Sequence, residues 1–281
     1  MRDLVTTDWL ARHLDDPALR IADVRWYLDP ARKGREAYAR GHIPGAVFLD
    51  VDVDLSAPGG GRGRPAGRHP WPSEEQVSRV MGRAGMGPGT QVVAYDDQGG
   101  AVAARLWFLL RAHGHDDVAV LDGGIPKWIA EGRPVTTDAP AIPPATFDGR
   151  LRPGLVLTKA DVLARDPARP LLDARAAERF RGEMEPVDPR AGHIPGGRSA
   201  PFSGNLSADA LPVFLPRSAL RERYAALGAE RAAPIVYCGS GVTACHDLLA
   251  LHLAGLPGSL YGGSWSEWSA DETLPLATGG D

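Results

Sequence analysis

The tetrapeptide Gly41-His42-Ile43-Pro44 returns as Gly192-His193-Ile194-Pro195, followed both times by glycine. A short acidic strand end precedes each copy, Asp23-Val24-Arg25 in one case and Asp173-Ala174-Arg175 in the other. Further on, Asp122-Gly123-Gly124 with Trp128 corresponds to Gly262-Gly263-Ser264 with Trp268. Four landmarks in one order mark a duplicated domain, because their period far exceeds the roughly 20–50 residues of solenoid repeats. The length of 281 residues agrees, since about 100–200 residues per domain leaves room for two. Between the copies, Thr136 to Pro153 carries Pro140, Pro143, Pro144 and Pro153 with little periodicity, which reads as a linker. The organisation expected is an N-terminal domain over 1–135, a Pro-rich linker over 136–153 and a C-terminal domain over 154–281.

Inside each copy, short apolar runs alternate with amphipathic segments of helical length. Val92-Val93-Ala94-Tyr95 precedes a helix expected from about Ala101 to Ala112, ended by Gly114. Ile235-Val236-Tyr237 precedes one expected from about Thr243 to Ala254, ended by Gly255. Strand followed by helix, repeatedly, means an α/β fold. Strands that are apolar throughout fit a parallel sheet covered on both faces. Ligands of such sheets bind beyond the carboxyl ends of the strands, which directs attention to the turn after Tyr237.

Composition removes several function classes. Lys and Arg number 31 against 35 Asp and Glu, a formal net charge of −4, without the basic excess that nucleic-acid binding requires. Two cysteines make neither a disulfide framework nor the paired spacing of a structural zinc site, and they suit a reducing compartment. The stretch from Met1 to Arg12 is amphipathic and charged, and no segment reaches the ~18 apolar residues of a membrane span. A cytoplasmic protein, with neither membrane nor nucleic acid as partner, is the expectation.

The turn after Tyr237 reads Cys238-Gly239-Ser240-Gly241-Val242-Thr243. Two glycines let the chain curl so that successive amide N–H groups point inward, and the following helix adds its positive end. Both effects favour thiolate over thiol, and the same cradle stabilises a second sulfur attached to the first. The bland alternative is a small buried cysteine at a strand end. The other copy has Tyr95-Asp96-Asp97-Gln98-Gly99 here, with Asp96 in the cysteine's place. A carboxylate is no sulfur nucleophile, so only the second domain is expected to be active.

The two copies resemble the tandem-domain rhodanese and mercaptopyruvate sulfurtransferases. The features that carry this are the Tyr38-Ala39-Arg40-Gly41-His42-Ile43-Pro44-Gly45-Ala46 run, the Cys238 turn and Tyr261-Gly262-Gly263-Ser264-Trp265-Ser266-Glu267-Trp268. The last departs from the usual pattern, with Gly262 where an acidic residue is common. The resemblance covers nearly the whole chain. It implies two rhodanese-like domains, each a mostly parallel five-stranded sheet with helices on both faces. It also implies a catalytic C-terminal domain, an active site near the domain interface and no metal or organic cofactor. The implied reaction moves sulfane sulfur from a donor onto Cys238 as a persulfide, then to cyanide or a thiol such as thioredoxin.

Loop composition tracks the donor in this family. Basic residues after the cysteine go with thiosulfate, while an uncharged Cys-Gly-Ser-Gly-Val-Thr resembles the 3-mercaptopyruvate type. A dianion gains from cations in the loop, whereas a monocarboxylate can rely on amides and more distant arginines. The expected donor is therefore 3-mercaptopyruvate, with thiosulfate as the alternative. Gly239, Gly241, Val242 and Thr243 would line the anion site. Arg179, in Glu178-Arg179-Phe180-Arg181-Gly182, stands where the family places an arginine that grips the donor's anionic end, a task suited to a planar, permanently charged fork. The family's second arginine follows a Glu-Pro pair. Here Val187 follows Glu185-Pro186, and Arg190 is a substitute by proximity only. The mercaptopyruvate enzymes' proton relay maps onto Ser240, His69 and Asp52. An oriented imidazole suits protonation of the departing pyruvate carbon. Against this, His69 lies at the end of a Gly/Arg/Pro-rich loop from Ala57 to Pro72.

Other residues read as structural. His42 and His193 occur in both copies and so fit turn hydrogen bonding, and Arg25 and Arg175 fit as partners of Asp23 and Asp173. Cys245 reads as core more than as a resolving thiol. Trp265 would wall the pocket, while Trp128, Glu267 and Trp268 read as packing and turn residues. Two rivals remain. A cysteine phosphatase would need arginine where Ala244 stands. A non-catalytic persulfide- or anion-binding module would not need Cys238 within an intact glycine-rich cradle.

Overall fold

The computed structural model describes residues 3–280; Met1 and Arg2 of the N-terminal stretch considered above, and Asp281, lie outside them. The chain forms two compact units. One comprises the described residues up to Leu55 with Pro72–Arg152 and Ala208–Phe214. The other comprises Ser56–Trp71, Pro153–Ser207 and the described residues from Leu215 onward. Residues 136–152, read above as linker, thus cluster with the first unit. The N–H of Ala145 donates to Gly82 O at 2.9 Å and that of Arg152 to Ala112 O at 2.8 Å. Conversely, the loop that carries His69 clusters with the second unit.

The first unit contains strands β1 (Leu4–Val5), β2 (Leu19–Asp23), β3 (Ala46–Phe48), β4 (Gln91–Tyr95) and β5 (Val118–Leu121). They form one sheet in the order β1-β5-β4-β2-β3, with every pairing parallel. Its helices are α1 (Thr7–Arg12), α2 (Gly34–Arg40), α3 (Glu74–Arg83), α4 (Ala103–Ala112) and α5 (Gly124–Ala130). The second unit repeats the pattern with β6 (Val156–Leu157), β7 (Leu171–Asp173), β8 (Gly197–Ser199), β9 (Ile235–Tyr237) and β10 (Ser259–Tyr261). These strands are again all parallel, in the order β6-β10-β9-β7-β8. Helices α6 (Lys159–Leu163), α7 (Ala177–Phe180), α8 (Arg217–Ala226), α9 (Ala244–Leu253) and α10 (Ser264–Ala270) complete it.

The continuous apolar strands have the expected cause. Val93 and Tyr95 of β4 pack with Leu10, Ile43, Ile125 and Trp128 on one face. Val92 and Ala94 point to the other face by alternation and are equally buried. In β9, Ile235 and Tyr237 pack with Ile194, Trp265 and Trp268, and Val236 is buried on the opposite face. The repeated landmarks are therefore core positions. The helices after β4 and β9 begin at Ala103 and Ala244, slightly later than the periodicity predicts, and Gly114 and Gly255 follow them with left-handed backbones. His42 and His193 serve their turns: Nδ1 of His42 lies 3.0 Å from Tyr38 O, and Nδ1 of His193 lies 2.8 Å from Phe180 O.

One buried polar cluster braces α9. The Asn205 amide donates to Asp247 Oδ1 at 2.7 Å and meets His246 Nδ1 at 3.2 Å, and Tyr224 donates to Asn205 Oδ1 at 2.9 Å. Asp247 is fully buried and its Oδ2 has no hydrogen-bond partner. Burial pushes its carboxyl up to about 7, against the pull of Asn205, Arg223 and Tyr224. The folded chain thus holds a proton that the unfolded chain releases near pH 4. This contribution is fully present below pH 4 and is lost as the pH rises to about 7. Asp247→Asn is expected to raise stability at pH 8, on the order of 4 kcal/mol, and to leave it unchanged near pH 4. Denaturant unfolding across that range checks this; a gain independent of pH would contradict it.

Candidate active site

Cys238 follows β9 directly, at the carboxyl end of a central strand, and is 1% exposed. Gly241 turns the chain with φ of +77°, and its N–H donates to Cys238 Sγ at 3.1 Å. Only glycine takes that conformation without strain. The N–H of Cys238 donates to Ser264 Oγ at 3.2 Å, and its carbonyl accepts the N–H of Trp265 at 2.9 Å. The carbonyl of Gly239 accepts the N–H of Ser266 at 2.8 Å. The start of α10 thus backs the turn from behind. Ser264 has φ of +54°, the one left-handed non-glycine among the described residues, and is held there by donating to Tyr261 O at 3.0 Å. Sequence gave no sign of this strain. Trp265 is fully buried, with its ring under Arg175 at 4.7 Å, so it supports the turn. Cys245 is buried and donates to Gly241 O at 3.3 Å, within the core.

The first unit displays what such a turn offers an anion. The Asp96 carboxylate is fully buried and accepts four main-chain N–H groups, from Gln98, Gly100, Val102 and Ala103, at 2.7–2.9 Å. Burial pushes this carboxyl up, while the amides pull it back. The cradle there is filled by the protein's own side chain.

Around the Cys238 turn the second unit gathers two further groups. His69 is buried, and its Nδ1 lies 2.7 Å from Ser240 Oγ. The loop that brings it is closed, with the N–H of Ala57 donating to Pro70 O at 2.9 Å and that of Gly61 to Gly67 O at 3.0 Å. Gly67, with φ of +78°, approaches α10 so closely that a Cβ would lie 2.8 Å from Ser266 Oγ, and the N–H of Arg68 donates to that oxygen at 3.0 Å. Asp52 belongs to the first unit, where its Oδ2 accepts the indole N–H of Trp26 at 3.0 Å.

The second group is a cluster of arginines and carboxylates. Arg179, on α7, donates to Glu185 Oε1 at 2.6 Å and lies 3.3 Å from Asp188 Oδ2. Arg68 donates to Asp188 Oδ1, while its buried Nε has no hydrogen-bond partner. Both guanidinium groups face Gly239: a Cβ there would lie 2.6 Å from Arg68 Nη2 and 3.7 Å from Arg179 Nη1. Arg68 is the residue that sequence reasoning missed, although it stands next to His69 in the chain. Arg190 is corrected. Four of its five N–H groups are committed to the carbonyls of Trp268, Ser269, Asp271 and Leu274, so it fastens the C-terminal segment and leaves little for an anion. Val242 is buried, Thr243 is half-buried, and their carbonyls accept the first N–H groups of α9.

The rhodanese-like domain family model matches the chain twice, over residues 6–131 and 158–271. A probable 3-mercaptopyruvate sulfurtransferase from Pseudomonas aeruginosa is 45% identical over 282 residues, covering 98% of each chain. The thiosulfate sulfurtransferase of Rattus norvegicus is 36% identical, covering 95% of this chain and 92% of its own. Among solved structures, SseA from Escherichia coli, described as a 3-mercaptopyruvate sulfotransferase with the rhodanese fold, superimposes with a TM-score of 0.81 at 31% identity. That match covers 94% of this chain and 99% of the other. With both halves matched and this similarity end to end, the chain belongs to the rhodanese-like family as a two-domain member.

Proposed function

We propose that this enzyme, a sulfurtransferase of the rhodanese fold, loads sulfur from 3-mercaptopyruvate onto Cys238 and passes it to a thiol such as thioredoxin, a small thiol or cyanide. The observation that carries the reading is the Gly241 N–H on Cys238 Sγ, in a turn whose duplicate wraps a carboxylate in four amides. Such a turn stabilises negative charge on a sulfur or on a second sulfur bonded to it.

The Cys238 thiolate attacks the donor's sulfur. An S–S bond forms as the C–S bond breaks, leaving a persulfide anion on the enzyme and an enolate that becomes pyruvate. The donor thiol's proton must therefore reach carbon. Ser240 and His69, 2.7 Å apart, form the path for it. Asp52 is carried as a third member by family resemblance alone. Arg179 and Arg68, both beside Gly239, hold the donor's carboxylate, with Arg68 taking the place that Val187 leaves vacant. Gly239, Gly241, Val242 and Thr243 form the floor. With thiosulfate as donor, sulfite leaves without needing a proton. Among the described residues no helix is long and apolar enough to cross a membrane, and a reducing cytoplasm would keep Cys238 and Cys245 as thiols.

Mass spectrometry after donor addition is expected to find one extra sulfur on Cys238 and none in Cys238→Ser; sulfur on Cys245, or nowhere, refutes the mechanism. Gly241→Ala, which strains the turn at its sulfur-binding amide, is expected to slow loading roughly 10-fold or more in single-turnover measurements. Ser240→Ala should depress turnover with 3-mercaptopyruvate by about 10²-fold and with thiosulfate far less. Equal losses with both donors would argue against the proton path.

A further inference from the structure

Asp188 is the least expected member of the arginine cluster. Its carboxylate is fully buried, and it takes Arg68 on one oxygen and Arg179 on the other. Its own N–H and that of Val187 donate to Glu185 Oε1, both at 3.0 Å, which fixes the segment beneath the two guanidinium groups. Glu185 is equally tied, accepting Arg179 at 2.6 Å and Arg175 at 3.2 Å, and Arg175 is paired with Asp173 at 2.6 Å. Three cations, Arg68, Arg175 and Arg179, thus face three anions, Asp173, Glu185 and Asp188. The cluster beside Gly239 is neutral before any donor arrives, with its side chains 16% exposed at most.

We infer that Asp188 determines donor charge, setting the clamp so that a singly charged donor end is accepted and a dianion such as thiosulfate is disfavoured. The inference rests on the sulfur-transfer reading above and adds a specificity residue to it. Arg68 and Arg179 give a carboxylate directional donors, and the unpartnered Nε of Arg68 adds one. Each negative charge beyond neutrality goes unbalanced in a poorly solvated place, so the second charge of thiosulfate meets Asp188 with little screening. Had the clamp been two free arginines, the dianion would be the better ligand. Asp188 reverses that order without touching the reacting sulfur.

The test is a charge series on the full-length enzyme. The ratio of kcat/KM for thiosulfate to that for 3-mercaptopyruvate is measured in the wild type, Asp188→Asn, Arg68→Gln and the double variant. Asp188→Asn is expected to raise the ratio on the order of 10-fold, Arg68→Gln to lower it, and the double variant to lie near the wild type. Added salt should shrink these differences. A purely structural Asp188 would lower both donors alike and leave the ratio unmoved, which overturns the inference, as does movement of both single variants in one direction. If Asp188→Asn fails to fold, the sign of the Arg68→Gln shift decides. Should neither donor load Cys238 in the wild type, the sulfur-transfer reading falls and this inference with it. Loading by both donors with an unmoved ratio overturns the inference alone.

Discussion

The buried Asp173–Arg175 pair fixes the end of the second sheet, and the site depends on it. The main-chain N–H and Nε of Arg175 both reach Asp173 Oδ1 at 3.0 Å, and Nη2 reaches Oδ2 and Gly192 O, each at 2.6 Å. One guanidinium therefore joins the end of β7 to the Gly192-His193-Ile194-Pro195 turn. Its face lies on Trp265, whose N–H holds the carbonyl of Cys238, and the hydroxyl of Tyr237 accepts the N–H of Ile194 at 3.2 Å. Loss of one partner from such a pair costs about 3–5 kcal/mol, because the other charge is left buried and uncompensated. Here it would also release Tyr237, the residue before Cys238. The first unit repeats the device with Asp23, Arg25, Gly41 and Tyr95.

That repetition separates what the fold needs from what the chemistry needs. Both units keep the Asp–Arg–Tyr device, the histidine turn and the buried tryptophans, so these serve the sheet. They differ at the strand end. Asp96 satisfies its own cradle with four amides, which closes that site to an outside anion and makes the turn a structural plug. Cys238 engages one amide through a larger, more polarisable atom, to which the proposed reaction adds a second sulfur. At this position the first unit holds an internal anchor, and the second holds the thiol on which the proposed function rests.

The fold was legible because its signals are local and doubled. Apolar runs ended by glycine, and landmarks seen twice, place strands β4 and β9 and the Cys238 turn without any long-range information. The histidine and arginine assignments follow from the same comparison, since residues present also in the copy without the cysteine fit a structural role. The arginine cluster beside Gly239 was not legible. Arg68 reaches Gly239 only because a closed loop, pinned by Gly67 against Ser266, folds onto α10, and nothing in sequence spacing encodes that approach. Arg190 looked suitable by proximity in the chain, but its partners are carbonyls of a segment far along the sequence. Asp247 was invisible for a related reason: a charged residue on a helix reads as a solvated face until Asn205 and Tyr224 enclose it.

A clamp neutralised in advance also bears on where rate acceleration arises. Arg68 and Arg179 are already oriented by Asp188 and Glu185, so under the proposed function a donor would meet rigid forks and little side-chain entropy would be lost on binding. The same pairing weakens net attraction, because the donor's carboxylate competes with carboxylates in place. Such a clamp contributes orientation more than affinity, and orientation is felt equally by donor and transition state unless the reacting atom moves. In the proposed reaction the sulfur does change: charge leaves the Cys238 thiolate and reappears one atom further out on the persulfide. The amide of Gly241 is aimed at that region, so it is the group whose interaction would strengthen along the proposed reaction. In the proposed reading, the arginines select and aim the donor, while the glycine-rich turn lowers the barrier.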